Sequence, residues 1–439
     1  MHVWRQINTL AVAKNFYTET LAIWLPRVDK RWEFSGVTGM HFPLYEWILA
    51  LLYKVFGFSH AVHRWFSFLI TCIAFFSVYQ CFIKFGDIKA RIIAIAFLFN
   101  PLIFYYGFSA LPDILSIAMM FSAIAISLSS REFKTKFFII VLLASGAMMI
   151  KYVYVLYGLL LFFLTPNLNF KERLYQLFPY CIGFFMAICW YQYAQYLTAI
   201  SNGLVEFIAY PRLIPKSLIY PSLKTVFLTI VPELFFGFPL FAIFIYIIFV
   251  SFKNKPAIKN KLFWMITIIL VLAYIVAASH NLAQHDYYFL PLLFLPLLLI
   301  AKIFPINKYV YFCILCMPIW AVLRIIPPNF LKEKVNFYQQ ERLLLKAIIP
   351  KKTAVICGID QTGCQLFYML DVKGFPYYKK NELFEKRQGK GQIYLEEAIL
   401  RGAKYLISTE LSDTSNPYLV KHQEKIIKIN ENLILVKFK

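Results

Sequence analysis

Ionisable side chains are expensive beside hydrocarbon, so those that persist next to long apolar runs mark candidate sites of chemistry. In this 439-residue chain such residues collect at a few points. His2, Arg5, Gln6, Asp29 and His41 stand near the start, Asp113 follows Pro112, and Lys151 interrupts an apolar stretch. Glu233 follows Pro232, and His280 precedes the run His285-Asp286-Tyr287-Tyr288. A carboxylate at Asp113 or Asp29, or the imidazole of His41, has the chemistry of a base acting on a hydroxyl. Arg5, Lys151 and Arg212 have the chemistry of a phosphate clamp. His2, Gln6, Glu233, His285, Tyr287 and Tyr288 would then line a substrate site.

Each residue also has a plainer reading. Asp113 can be a first-turn acid favoured by the helix dipole, Lys151 can snorkel from a turn, and Tyr287-Tyr288 can belong to an interfacial aromatic belt. Glu233 is harder to set aside, because a buried carboxylate needs a partner. Motifs of soluble enzymes fail: the segment from Gly358 to Gly363 would be a phosphate loop only if Lys followed, and Cys364 stands there. No H-E-x-x-H, nucleophile elbow or paired Cys-x-x-Cys occurs. No cofactor is expected; a divalent metal is left open but not indicated.

The elements that must position these groups are membrane helices. Hydrophobic residues make up 60% of the chain and charged ones 15%, well below the roughly 25% charge of soluble domains. Apolar runs approaching the length of a bilayer crossing are expected as helices over Val62–Ile83, Lys89–Tyr106, Leu111–Leu128, Phe137–Ile150, Tyr152–Leu164, Leu177–Leu197, Val226–Val250, Phe263–Ala278, Tyr287–Ile303 and Tyr309–Ile326. Phe137–Leu164 could instead be one kinked span or a re-entrant pair. Many of the Lys and Arg behind the net charge of +22 punctuate these runs as topology signals do, and no recognition module for nucleic acid appears. One set of alternate connections, which includes Lys84, Lys136 and Lys302, carries fourteen Lys and Arg; the other carries four. The richer set is read as cytoplasmic, which puts both chain ends and the acid–histidine–tyrosine mixture outside. A start on the outer face predicts a further spanning helix upstream of Met1.

Two pieces fall on that outer side. Residues 1–61 hold helical stretches at Thr9–Leu21 and Pro43–Phe56, both suited to the interface. Residues 62–326 form the helical domain, closed by the breaker Pro327–Pro328. Residues 327–439 read as a small α/β domain: a strand at Thr353–Ile359, helices at Gly363–Leu370 and Leu395–Gly402, a strand at Tyr405–Ser408 and a hairpin over Lys425–Phe438. Six cysteines lie in apolar runs, and Cys357 with Cys364 could pair if the tail meets an oxidising compartment.

Several of these segments resemble one family. His2-Val3-Trp4-Arg5-Gln6, the stretch from Thr9 to Phe16 and Phe42-Pro43-Leu44-Tyr45 look like the first outer loop of bacterial GT-C glycosyltransferases. The branch is that of the protein O-mannosyltransferases and the lipid A aminoarabinose transferase. Pro112-Asp113 before a helix, Lys151 at a helix end and His285-Asp286-Tyr287-Tyr288 before a proline-bearing span fit the same branch. So do Phe367-Tyr368-Met369-Leu370 and Gly402-Ala403-Lys404-Tyr405 in the tail.

The resemblance implies a polytopic α-helical protein of the bacterial cytoplasmic membrane, with about ten spans and a small C-terminal α/β extracytoplasmic domain. It implies transfer of a sugar from a polyprenyl-phosphate donor to a lipid, glycan or protein acceptor, with membrane lipids as surroundings and no nucleic acid. Arg5 and Lys151 would hold the phosphate, and Asp113 or Asp29 would serve as the carboxylate. The chain departs from the family pattern at Asn8, where many relatives have Asp, and at His41, where many have Glu. Those changes leave three outcomes: a lost base, a base role moved to His41, or a non-catalytic partner that kept the fold. A transporter or flippase for a lipid-linked glycan is the alternative from another class; it would show binding residues at midplane in broken helices and repeat symmetry.

Overall fold

The structure, a computed structural model, describes residues 3–31, 35–130, 132–165, 168–201, 215–254, 261–303, 308–330, 339–359, 363–377, 391–409, 417–431 and 433–439. His2 and Arg212 lie outside the described residues. The chain opens with α1 (Val3–Thr18) and α2 (Leu44–Phe56), then enters the bundle with α3 (His60–Phe82), α4 (Asp87–Leu98), α5 (Pro101–Tyr106), α6 (Pro112–Leu128) and α7 (Phe133–Ile150). It continues through α8 (Leu159–Leu164), α9 (Phe170–Ile200), α10 (Lys216–Thr225), α11 (Phe238–Asn254), α12 (Lys261–Ala277), α13 (Ser279–Gln284), α14 (Phe294–Lys302) and α15 (Lys308–Phe330). One continuous core of buried apolar side chains runs through these helices, from Leu10 to Met317.

Local chemistry sets the helix ends. Ser59 caps α3 by accepting from the Ala61 N–H, which satisfies one of the orphan donors at a helix start. Asn169 and Glu172 form a reciprocal capping box at α9. Pro112 stands at the first position of α6, where its missing N–H costs nothing. Gly86 ends the turn after α3 at φ 102° and Gly237 ends the wide helix before α11 at φ 74°, backbone states that side-chain-bearing residues avoid.

All ten apolar stretches are helical, but several are divided. Lys89–Tyr106 breaks at Asn100, whose side chain accepts from the Leu102 N–H at 3.0 Å and donates to the Phe235 carbonyl at 2.7 Å. Tyr152–Leu164 and Tyr287–Ile303 each begin as a 3-10 turn, Tyr152–Gly158 and Asp286–Leu292. Val226–Val250 starts as a π-helix over Val226–Phe236 around Pro232 and restarts after Gly237. Pro327–Pro328 do not end the last helix, which runs on to Phe330; the fixed φ of proline is itself compatible with helix. Among the described residues, four helices have the length and composition to cross a membrane: His60–Phe85, Lys171–Ile200, Ser217–Phe236 and Lys308–Ile326. Pro112–Leu128, Tyr152–Leu164 and Phe263–Ala277 are apolar but shorter.

The C-terminal part adds α16 (Gln339–Ile348), α17 (Cys364–Leu370), the helix Gly391–Leu400 and five strands: β1 (Ala354–Cys357), β2 (Lys373–Pro376), β3 (Ala403–Ser408), β4 (Gln423–Asn430) and β5 (Leu433–Phe438). They form one sheet in the order β2-β1-β3-β5-β4, parallel on the β2 side and antiparallel from β3 onward. Side-chain alternation divides its residues between two cores. Val355, Tyr405, Ile407 and Leu435 pack with α16 and α17, while Ile356, Leu406, Ile434 and Val436 pack with the helix Gly391–Leu400.

The first loop is tied to this sheet. Gly374 in β2 accepts from the Arg31 N–H at 2.8 Å and donates to the Asp29 carbonyl at 3.1 Å, so the loop adds a short strand-like bridge at the β2 edge. Ion pairs Lys14–Asp371 and Lys373–Glu19 reinforce the junction. A Cβ on Gly374 would collide with the Val355 carbonyl across the sheet. Gly374→Ala is therefore expected to cost about 1–3 kcal/mol and to loosen the loop from the tail. The check is a lower thermal midpoint in detergent with faster proteolysis of the C-terminal part; unchanged values would show that the sheet edge accommodates the methyl group.

Candidate active site

The site is built where helix ends of opposite polarity meet. Asp113 is the second residue of α6, at the end where unsatisfied N–H groups favour an anion; Lys151 caps the C-terminal end of α7, which favours a cation. Because α6 and α7 are packed neighbours running in opposite directions, these two ends coincide. Lys151 Nζ donates to Asp113 Oδ1 at 2.8 Å, with side chains 16% and 4% exposed. The backbone of Lys151 is extended at φ −156°, which releases the chain from α7 into the 3-10 turn. Three residues later, Tyr154 donates to the same Asp113 oxygen at 3.1 Å.

Aromatic rings roof the cation. Lys151 Nζ lies 4.3 Å from the Tyr288 ring centre and 5.4 Å from that of Tyr287, so part of its charge is balanced by ring faces. His285 stacks on Tyr287 at 5.6 Å, and Trp4 of α1 meets His285 edge-on at 6.1 Å. Beside them Tyr106 donates to Asp286, and Gln6 donates to the Tyr105 hydroxyl at 3.3 Å. Residues from α1, α5, α6, α7 and the Asp286–Leu292 turn thus share one end of the bundle.

Arg5 is buried and belongs to the same end, within electrostatic range of Lys151, Tyr287 and Tyr288. Its guanidinium lies 3.4 Å from His41 Nδ1, and His41 Nε2 lies 3.0 Å from Glu46 Oε1. Arginine can only donate, so Nδ1 accepts and Nε2 carries the proton that goes to Glu46. In this arrangement His41 orients Arg5 and offers no lone pair to an incoming hydroxyl. Asn8 is buried one turn along α1 from Arg5.

Two expected members lie elsewhere. Asp29 accepts from the Asn15 amide at 3.0 Å at the loop–sheet junction, among Arg31, Lys14 and Asp371. Burial raises its carboxyl above the ordinary carboxylate range, against the hydrogen bond from Asn15 and the nearby cations. Arg31 beside it is lowered to about 10 by burial. Glu233 pairs with Arg324 at 2.9 Å on the π-helix, under a Trp320 indole that donates to its carbonyl. Sequence reasoning missed Glu46, Tyr105, Tyr106 and Tyr154. Glu46 could have been suspected as the lone acid of an otherwise apolar run, five residues after His41; the tyrosines carried no distinguishing signal in a chain so rich in them. Among the described residues, no group of three or more His, Cys, Asp or Glu could hold a metal ion.

A buried pair is costly to break from one side. Lys151→Met should destabilise the protein by roughly 3–5 kcal/mol, while Lys151→Met combined with Asp113→Asn should lose less, since no uncompensated carboxylate remains. Thermal unfolding in detergent gives the comparison. A double variant that loses the sum of the single effects would mean that the pair is not coupled.

The family model described as dolichyl-phosphate-mannose-protein mannosyltransferase matches residues 40–192, a segment that contains His41, Glu46, Asp113 and Lys151. No curated protein matches the chain. Among solved structures, ArnT from Cupriavidus metallidurans bound to undecaprenyl phosphate is similar with a TM-score of 0.64 at 11% identity, covering 98% of this chain and 93% of that one. The same protein in its apo state gives a TM-score of 0.51 at 9% identity with the same coverage. The chain therefore has the fold of ArnT, and its residues 40–192 match the mannosyltransferase family model.

Proposed function

We propose that this protein is an integral membrane glycosyltransferase that moves a sugar from a polyprenyl-phosphate-linked donor to an acceptor outside the cytoplasm. The observation that carries this reading is the meeting of Asp113, Lys151 and Arg5 at one end of the helical bundle. The undecaprenyl phosphate held by the similar ArnT structure supports a lipid-phosphate donor. The charge asymmetry of the connections supports a bacterial inner-membrane orientation with this end outside.

The proposed chemistry follows from competition for one ammonium group. At rest Lys151 neutralises Asp113. A donor phosphate arriving between Lys151 and Arg5 draws the ammonium toward itself, and the Asp113 carboxylate becomes available as a base. The acceptor hydroxyl loses its proton to Asp113 as its oxygen bonds to the anomeric carbon. The bond from that carbon to the phosphate oxygen breaks, and the phosphate leaves as the lipid monoester, its charge balanced by Lys151 and Arg5. Gln6, His285, Tyr287 and Tyr288 would face the donor sugar, and His41 would hold Arg5 in place. Asp113 is preferred to Asp29 as base because Asp29 is committed to the loop–sheet junction, and Glu233 is left to its pair with Arg324. The tail, on the same side, would approach the acceptor.

The test is transfer by the full-length protein in proteoliposomes, with labelled polyprenyl-phosphate sugars and an envelope acceptor fraction. Asp113→Asn should lower kcat by roughly 10²–10⁴-fold and lower the donor KM, because Lys151 is then free for the phosphate. Arg5→Ala should raise donor KM. Transfer unaffected by Asp113→Asn would contradict the base assignment, and an intact protein inactive with every such donor would contradict the activity.

A further inference from the structure

The cavity at the other end of the same helices has no place in this chemistry. It encloses about 680 Å³ and is lined by Lys84, Lys136, Lys302, Ser129 and Gln176 together with apolar groups that include Phe85. Along α6 it is sixteen residues from Asp113, roughly 24 Å at the rise of a helix. Its charge is one-sided: among the described residues lining it, three are lysines and none is acidic.

The lysines are held, not scattered. Lys84 Nζ stands 5.6 Å and Lys302 Nζ 4.8 Å from the centre of the same Phe85 ring, so two like charges converge on one wall. Lys136 is 7% exposed and spends two of its three N–H groups on the carbonyls of Ser127 and Ser129, at 2.8 and 2.9 Å. Those carbonyls end α6, so this ammonium is anchored by a helix terminus with a donor to spare. Of the acids nearby, Asp87 is taken by Arg91 and Tyr79, Glu172 by its capping box, and Glu132 is exposed and does not line the cavity. Among the described residues, Gln176 Oε1 is buried without a hydrogen-bond partner, and a donor from whatever fills the space would satisfy it.

Lysines at this end of a membrane protein would ordinarily be topology signals lying in water. A topology signal has no reason to bury one ammonium, pack two others on one ring and line the same pocket with an amide oxygen that lacks a partner among the described residues. The required occupant carries negative charge, offers a hydroxyl or ammonium donor and tolerates walls such as Leu164 and Leu168. We propose that this cavity binds the phosphate headgroup of an anionic phospholipid, held by Lys84, Lys136 and Lys302 with Gln176 accepting from the headgroup. Basic pockets between membrane helices suit such headgroups.

The test uses full-length protein purified in mild detergent, with native mass spectrometry against added phosphatidylglycerol, phosphatidylcholine or inorganic phosphate. Wild type should retain one phosphatidylglycerol after stepwise delipidation, with phosphatidylcholine weaker by on the order of tenfold or more. Lys84→Gln with Lys302→Gln should lose that preference. Lys134→Gln with Lys171→Gln removes the same charge from exposed positions outside the cavity and should keep it. Thermal midpoints without lipid verify that both doubles are folded. Equal loss in the two doubles would reduce the effect to general surface attraction and overturn the site. Equal retention of phosphatidylcholine, or full displacement by millimolar inorganic phosphate, would overturn the lipid headgroup as the ligand.

Discussion

A carboxylate and an ammonium buried at one end of an apolar bundle must find each other, and the Asp113–Lys151 pair is the constraint around which this end is arranged. Neither charge is tolerable alone where water is scarce. Their meeting requires α6 to begin where α7 ends, with Pro112 starting one helix and an extended Lys151 leaving the other. Tyr154, Tyr287 and Tyr288 then occupy the space around the pair, and α1 brings Arg5 within electrostatic range of it. The proposed catalytic role rests on the same electrostatics: a pair that is stable at rest is one that an incoming phosphate would divide.

The second dependence is mechanical. Arg5 sits on α1, far in sequence from the bundle residues it joins, and two attachments fix it. One is the chain Arg5–His41–Glu46, which locks the loop to α2. The other is the bridge of residues 29–31 to Gly374, with the ion pairs beside it, which ties α1 and its loop to the C-terminal sheet. The sheet is thereby coupled to the position of a site residue without contributing one. An acceptor engaged by the tail would be felt at the loop whose His41 meets Arg5.

Much of this was legible in the sequence. Asp113, Lys151 and the run from His285 to Tyr288 stood out because each is polar at the edge of an apolar stretch, and the structure brings them together. Asp29 stood out for the same reason yet lies at the loop–sheet junction, since polarity alone does not say which of two clusters a loop residue joins. Glu46 was legible only as the lone acid of an apolar run; its role depends on His41 reaching it across a turn, which the sequence does not show. The divisions at Asn100 and Gly237 were not visible either: a hydropathy run measures apolar content, while breaks depend on a long-range hydrogen bond to Phe235 or on a positive φ. Strand β2 escaped notice because Lys-Gly-Phe-Pro has no alternation to detect; pairing with β1 and the first loop makes it a strand.

The competition between Asp113 and phosphate for Lys151 can be measured directly, as the affinity for polyprenyl monophosphate of the protein in zwitterionic nanodiscs. Removing the carboxylate's charge with Asp113→Asn should tighten phosphate binding, and Lys151→Met should weaken it. Weaker binding in Asp113→Asn, or unchanged binding in Lys151→Met, would contradict the account.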